Sequence, residues 1–144
     1  MIRVQEEDFD VAAELTRMPG DGALCLFVGT VRAESAGRSI LAMTLEHYPG
    51  MAERELARLE EDARRRWPLT GALIVHRHGR LRPGERIVLV AVCSPHRAAA
   101  FDACRFLIDH LKTTAPFWKS EETAAGHAWV DARREDDAAA RQWG

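Results

Sequence analysis

The chain has 144 residues, 47% of them hydrophobic and 29% charged, with a formal net charge of −2. That length makes a single domain over residues 1–144, able to bury its own core, and the near-neutral balance offers no overall field for nucleic acid or an anionic membrane. No apolar run approaches the ~18–20 residues that span a bilayer, and Glu6-Glu7-Asp8 is acidic where a secretion signal would be apolar. A cytoplasmic protein is expected.

Ile2–Val4 reads as a short strand, and Asp8 or Asp10 can cap a helix running to Arg17. Pro19-Gly20-Asp21-Gly22 is a turn cluster. The apolar run Ala23–Val28 predicts a strand, placed centrally in its sheet because it is apolar throughout. It runs into Gly29-Thr30-Val31-Arg32, and Ile40–Tyr48 predicts a further strand.

From Met51 to Arg66 the sequence is amphipathic at helical spacing, with Met51, Ala52, Leu56, Leu59 and Ala63 on one stripe. Arg64–Arg66 suits the C-terminal end of that helix, and Trp67-Pro68 stops it. Ala72–His76 and Ile87–Cys93 predict strands joined as an antiparallel hairpin through Pro83-Gly84.

Ser94-Pro95 opens a second long helix, with serine as N-cap and proline in the first position, reaching about Thr113. Its expected buried stripe is Ala100, Cys104, Leu107, Ile108 and Leu111. Pro116–Trp118 is extended or looped, Trp129–Val130 is a last short strand, and Asp131–Trp143 is a polar tail with helical potential. Strands and helices mix without a strict alternation. The expectation is an α+β domain with two main helices and a mixed, largely antiparallel sheet.

Three cysteines, Cys25, Cys93 and Cys104, are scattered through apolar segments. They match neither a disulfide framework nor a zinc pattern and read as buried thiols. His76 and His78 are too few to make a metal site.

Of the 20 basic residues, 18 are arginine and only Lys112 and Lys119 are lysine. Arginine does not lose its proton near neutrality, whereas a desolvated lysine can. Lys112 falls in the last turn of the second long helix, where a cation also suits the helix dipole. Lys119 follows the stiff, aromatic Pro116-Phe117-Trp118. At the other end of that helix, His96 and Arg97 add two potential cations to a terminus that is already positive. Such an arrangement calls for an external phosphate or carboxylate. Arg32, after the strand-ending Gly29, is a further fork-shaped anion binder.

Taken in register, these segments resemble the large, catalytic subunit of molybdopterin synthase. Those carrying the resemblance are Phe27–Arg32, Leu45-Glu46-His47-Tyr48-Pro49-Gly50-Met51, His76–Gly79 with Pro83-Gly84-Glu85, Ser94–Arg97, Lys112 with Pro116–Glu121, and Trp129-Val130. The resemblance implies an α/β-hammerhead fold and a homodimer that binds two small ubiquitin-like sulfur carriers, a heterotetramer overall. It implies that the carrier's Gly-Gly tail arrives as a thiocarboxylate. The substrate would be cyclic pyranopterin monophosphate (precursor Z), which gains two sulfurs to form the dithiolene of molybdopterin.

By motif, Lys112 and Lys119 correspond to the family's active-site lysines, and Arg32, His96, Arg97 and Arg133 to its substrate-binding positions. Thr30, Val31, Ser120 and Glu121 are implied lining contacts, with Thr30 standing where relatives can carry lysine. No cofactor bound by the chain itself is implied, because the carrier brings the sulfur. Lys119 would act as general acid/base and Lys112 would align the carrier's terminal carboxyl, or the reverse.

Two other readings of the residues compete. One is a Schiff-base enzyme using either lysine, which borohydride trapping without any carrier would reveal. The other is a non-catalytic anion-binding scaffold, which Lys119→Ala would leave undisturbed. A helix of about 16 residues is roughly 24 Å long, so His96 and Lys112 of one chain cannot easily share a compact pocket. A second protomer is expected to bring His96 and Arg97 to the lysines.

Overall fold

A computed structural model describes residues 1–113, 117–130 and 134–144. The elements run β1 (Ile2–Gln5), α1 (Val11–Leu15), β2 (Ala23–Thr30), β3 (Glu34–Ser35), β4 (Arg38–Ser39) and β5 (Ala42–His47). Then come α2 (Met51–Arg66), β6 (Gly71–Arg77), β7 (Gly79–Leu81), β8 (Arg86–Ser94) and α3 (Arg97–Leu111), followed by β9 (Phe117–Thr123), β10 (Gly126–Val130) and α4 (Arg134–Arg141).

The α+β expectation holds, with β3 and β4 forming a two-stranded ribbon and the other strands divided between two four-stranded sheets. Sheet one has the order β1-β6-β8-β2, and sheet two has β10-β9-β5-β7. All pairings are antiparallel except β1 with β6. The hairpin from β6 to β8 forms as expected. Its connection also leaves sheet one, because Gly79 adopts a φ of 93° and sends β7 to pair with β5 in sheet two.

Sheet one is covered on both faces. Leu56 and Ala63 of α2 and Ala103, Phe106 and Leu107 of α3 pack over Ala72, Ile74, Val88, Val90 and Val92. On the other face Leu73, Val75, Leu89 and Ala91 meet Phe9, Val11 and Leu15. Burial on both faces explains why β6 and β8 read as continuous apolar runs rather than alternating ones. A separate core of Val31, Met43, Leu45 and Leu81 lies against sheet two, and Phe117 packs against both it and the main core.

The amphipathic segment Met51–Arg66 forms α2 with the expected bounds. Glu53 accepts a hydrogen bond from the Gly50 N–H at 2.7 Å and so closes its N-terminus. Met51 departs from the predicted stripe and stays exposed, because it opens the helix beyond the edge of the core. At α3 the buried stripe is Ala99, Ala100, Ala103, Cys104, Phe106 and Leu107, while Ile108 and Leu111 are half-buried.

Two placements differ from the sequence expectation. β2 is an edge strand, and Leu24 and Leu26 remain 44% and 40% exposed. Its apolar run is therefore not the mark of a central strand, and an uncovered apolar edge of this kind invites a partner. Ser94 is not the N-cap of α3. It is the last residue of β8, opposite Ala23, and its hydroxyl donates to the Pro68 carbonyl at 2.9 Å while accepting the His96 N–H at 3.2 Å. The helix therefore starts two residues later, with His96 at the cap. Gly22 is required nearby: its φ is 91°, and a Cβ there would meet the Pro95 Cα at 2.6 Å.

Both ends of the chain are pinned. The Met1 ammonium donates to Glu60 at 2.7 Å and to the Ala72 carbonyl at 2.8 Å. The polar tail forms α4, beyond which Trp143 donates from Nε1 to Asp109 at 2.7 Å and meets Trp67 and Phe106 edge-on. Among the described residues, no helix is long and apolar enough to cross a membrane.

Candidate active site

β2 ends at an irregularity in its pairing between Gly29 and Thr30. A bulge of this kind re-aims the following side chains. Val31 turns into the second core and is held there by its N–H, which donates to the Glu85 carbonyl at 2.9 Å, and by its carbonyl, which accepts from Gly84 at 2.9 Å. Arg32 follows on the surface. Lys112 is the C-cap of α3, its N–H donating to the Ile108 carbonyl at 3.1 Å. Lys119 lies in β9 between Leu45 and Val130 on the neighbouring strands. The strand pleat puts Phe117, Lys119 and Glu121 on one face.

These pieces meet in one cavity of about 600 Å³, which receives Thr30, Val31, Arg32, Lys112, Lys119 and Glu121. Its walls include Ile40, Met43, Phe117, Trp118 and Trp129. Arg32 and Lys112 form no ion pair among the described residues. Cations without an ion-pair partner in a partly enclosed, aromatic-walled space suit an anionic ligand.

Ser120 does not line this cavity. It alternates to the other face of β9 with Glu122, which meets Arg80 at 2.8 Å. One residue along a strand reverses the direction of the side chain. Arg133 lies outside the described residues. The tail contributes a lining residue that sequence reasoning missed, Asp136 of α4. Only the packing of α4 brings it to the site, so no local signal marks it.

His96 and Arg97 are exposed at the far end of α3 and do not line the cavity. The 15 residues of α3 put its ends roughly 22 Å apart. The first turn of α3 has no acidic residue and His96 makes no side-chain capping bond, so this terminus keeps its anion-binding character.

His76 is the second missed residue, and its signal was the histidine cluster itself. It is only 7% exposed, lines the cavity, and stacks on Phe117 with ring centroids 3.8 Å apart and planes 11° apart. Its Nδ1 lies 2.8 Å from the Arg77 carbonyl, to which it donates. Burial pushes the His76 pKa down to about 4, opposed by the carbonyl bond and reinforced by Lys119, His47 and Lys112. The imidazole is therefore neutral at neutral pH.

An unfolded histidine titrates near 6.5, so between pH 6.5 and about 4 the unfolded chain binds the extra proton and the folded chain does not. Stability is therefore lost as pH falls through that window, by on the order of 3 kcal/mol from this group. Urea melts at a series of pH values should show the slope in the native chain and a flatter one in His76→Phe. An unchanged slope in the variant would contradict the assignment.

Arg77 plays no part in the cavity: its guanidinium donates to the Glu6 and Arg86 carbonyls at 3.0 and 3.1 Å. Cys25, Cys93 and Cys104 are unpaired, and burial pushes the Cys93 and Cys104 thiols up, away from the reactive thiolate form.

Fold and cavity together define an α+β domain that gathers two lysines and an arginine in one aromatic-walled cavity. A model of the MoaE protein family matches residues 4–114. The molybdopterin synthase catalytic subunit of Ralstonia nicotianae is 52% identical over 99% of this chain and 84% of its own length. Among solved structures, a MoaE protein of Burkholderia ambifaria is 51% identical with a TM-score of 0.84, covering 100% of this chain and 97% of its own. A molybdopterin synthase structure from Staphylococcus aureus is 32% identical with a TM-score of 0.84, over 89% and 95% of the two chains. The chain belongs to the MoaE protein family, and the Ralstonia relative is named as a catalytic subunit of molybdopterin synthase.

Proposed function

We propose that the chain is a molybdopterin synthase catalytic subunit that moves sulfur from the thiocarboxylate tail of a small carrier protein to cyclic pyranopterin monophosphate. The observation that carries this reading is the convergence of the chain's only two lysines with Arg32 in one aromatic-walled cavity. The pterin ring suits the aromatic walls, and its phosphate and the carrier's thiocarboxylate suit the cations. In this reading no cofactor is bound by the chain itself, and sulfur comes from the carrier.

Sulfur attack on the pterin side chain requires protons to be moved and oxyanions to be stabilised. Lys119, half-buried on a rigid strand, is assigned the proton transfers. Lys112, exposed at the mouth of the helix end, is assigned the carrier's terminal carboxyl.

His96 and Arg97 enter from a second copy of the chain, which completes the phosphate site. Two observations support a homodimer: the uncovered β2 edge with Leu24 and Leu26, and Phe101 at 65% exposure on α3, which packs over β2. With a carrier on each protomer the assembly is a heterotetramer.

The decisive experiment incubates the chain with a thiocarboxylated carrier and the cyclic pyranopterin. Molybdopterin should form; a folded complex that yields none would refute the reading. Arg32→Ala should raise KM for the phosphorylated substrate by roughly 10- to 100-fold, the worth of a hydrogen bond to a charged group. Steady-state kinetics check this, and an unchanged KM would take Arg32 out of the anion site.

A further inference from the structure

We propose that His76 is a positioning residue: its ring, stacked on Phe117, seats the strand from which Lys119 projects. The inference rests on the sulfur-transfer reading above and assigns to that site a residue outside its anion-binding set.

Phe117 opens β9 and lies two residues before Lys119, on the same face. Whatever fixes Phe117 therefore fixes the origin of the Lys119 side chain. Phe117 is clamped from sheet one by His76, in a nearly parallel stack, and from its own sheet by His47, at 6.0 Å between centroids. The His76–Phe117 contact bridges the two sheets, and the cavity lies between them. Sheet one supplies Ile87 and Val88 to its lining, and sheet two supplies Lys119 and Glu121.

The plane of the His76 ring is itself held. Nδ1 is bonded to the Arg77 carbonyl, and the His76 backbone is paired with Val4 on one side and Val88 on the other. Arg77 is tied by its guanidinium to the carbonyls on either side. An aliphatic residue would fill the same space without a flat face for Phe117 or a tether for its own orientation. A ring that carried charge would add a third cation beside two lysines, and burial keeps this one neutral.

The test compares His76→Ala and His76→Phe in the assembled synthase. Displacing a reacting group by about 1 Å costs up to ~100-fold in rate. His76→Ala should lower kcat by roughly 10- to 100-fold with little change in KM. His76→Phe keeps an aromatic face and should recover most of that loss. The double variant His76→Ala/Phe117→Ala should lose no more than its worse single member, as expected for two residues acting as one unit.

A folded His76→Ala enzyme with native turnover would overturn the proposal. So would a His76→Phe enzyme as impaired as His76→Ala, because the effect would then belong to the imidazole nitrogens. A second readout needs no turnover. In a sample isotopically labelled at lysine, His76→Ala should shift the side-chain resonances of Lys119 more than those of Lys112. Unmoved Lys119 resonances would refute positioning. A wild-type assembly that makes no product would remove the reaction assigned above and leave these resonances to judge the stack.

Discussion

Replacing Lys119 with arginine is expected to leave the fold intact and to lower turnover by at least about 100-fold, the usual contribution of a positioned general acid/base. The substitution keeps the positive charge, so anion binding and the electrostatic share of catalysis persist. It replaces a side chain that can exchange a proton with one that stays protonated. Lys119 is half-buried between Leu45 and Val130, in a strand paired on both sides, so the backbone has little freedom to adapt. Single-turnover assays with saturating carrier and substrate separate this loss from weaker binding. Near-native turnover in Lys119→Arg would end the proton-transfer assignment and leave the residue as a counter-ion.

Mixing two inactive variants should restore activity. Under the proposed dimer, each site draws its lysines from one protomer and Arg97 from the other. A Lys119→Ala chain and an Arg97→Ala chain are each expected to be inactive alone. Random re-pairing of equal amounts gives half heterodimers, each with one intact site, and so about a quarter of native activity by symmetry. The roughly 22 Å span of α3 makes the result informative, since one chain cannot place both residues at one compact site. No recovery after confirmed subunit exchange would confine the site to single protomers and leave Arg97 without a part in it.

Much of this was legible in the sequence. The Met51–Arg66 helix could be bounded because its stripe and its terminal arginines agree, and Trp67-Pro68 ends it. The lysines stood out because arginine serves at every other basic position. Where the reading erred, long-range structure overrode a local preference. Ser94-Pro95 has the residues of a helix start, yet pairing with Ala23 keeps Ser94 in β8. The run Ala23–Val28 is apolar enough for a central strand, yet pairing leaves it at the edge, where hydrophobicity serves a surface. Asp136 and the stacking of His76 on Phe117 join segments distant in the chain, and no local pattern encodes such meetings.

The confinement of both lysines to the cavity has a practical consequence. Lys112 and Lys119 are the only lysines in the sequence, and both line the cavity. Acylation of lysine side chains, located by peptide mapping so that it is read apart from any α-amine, therefore reports on the cavity rather than on the surface at large. Protection of those two positions by a bound anion or carrier tail becomes a direct measure of occupancy.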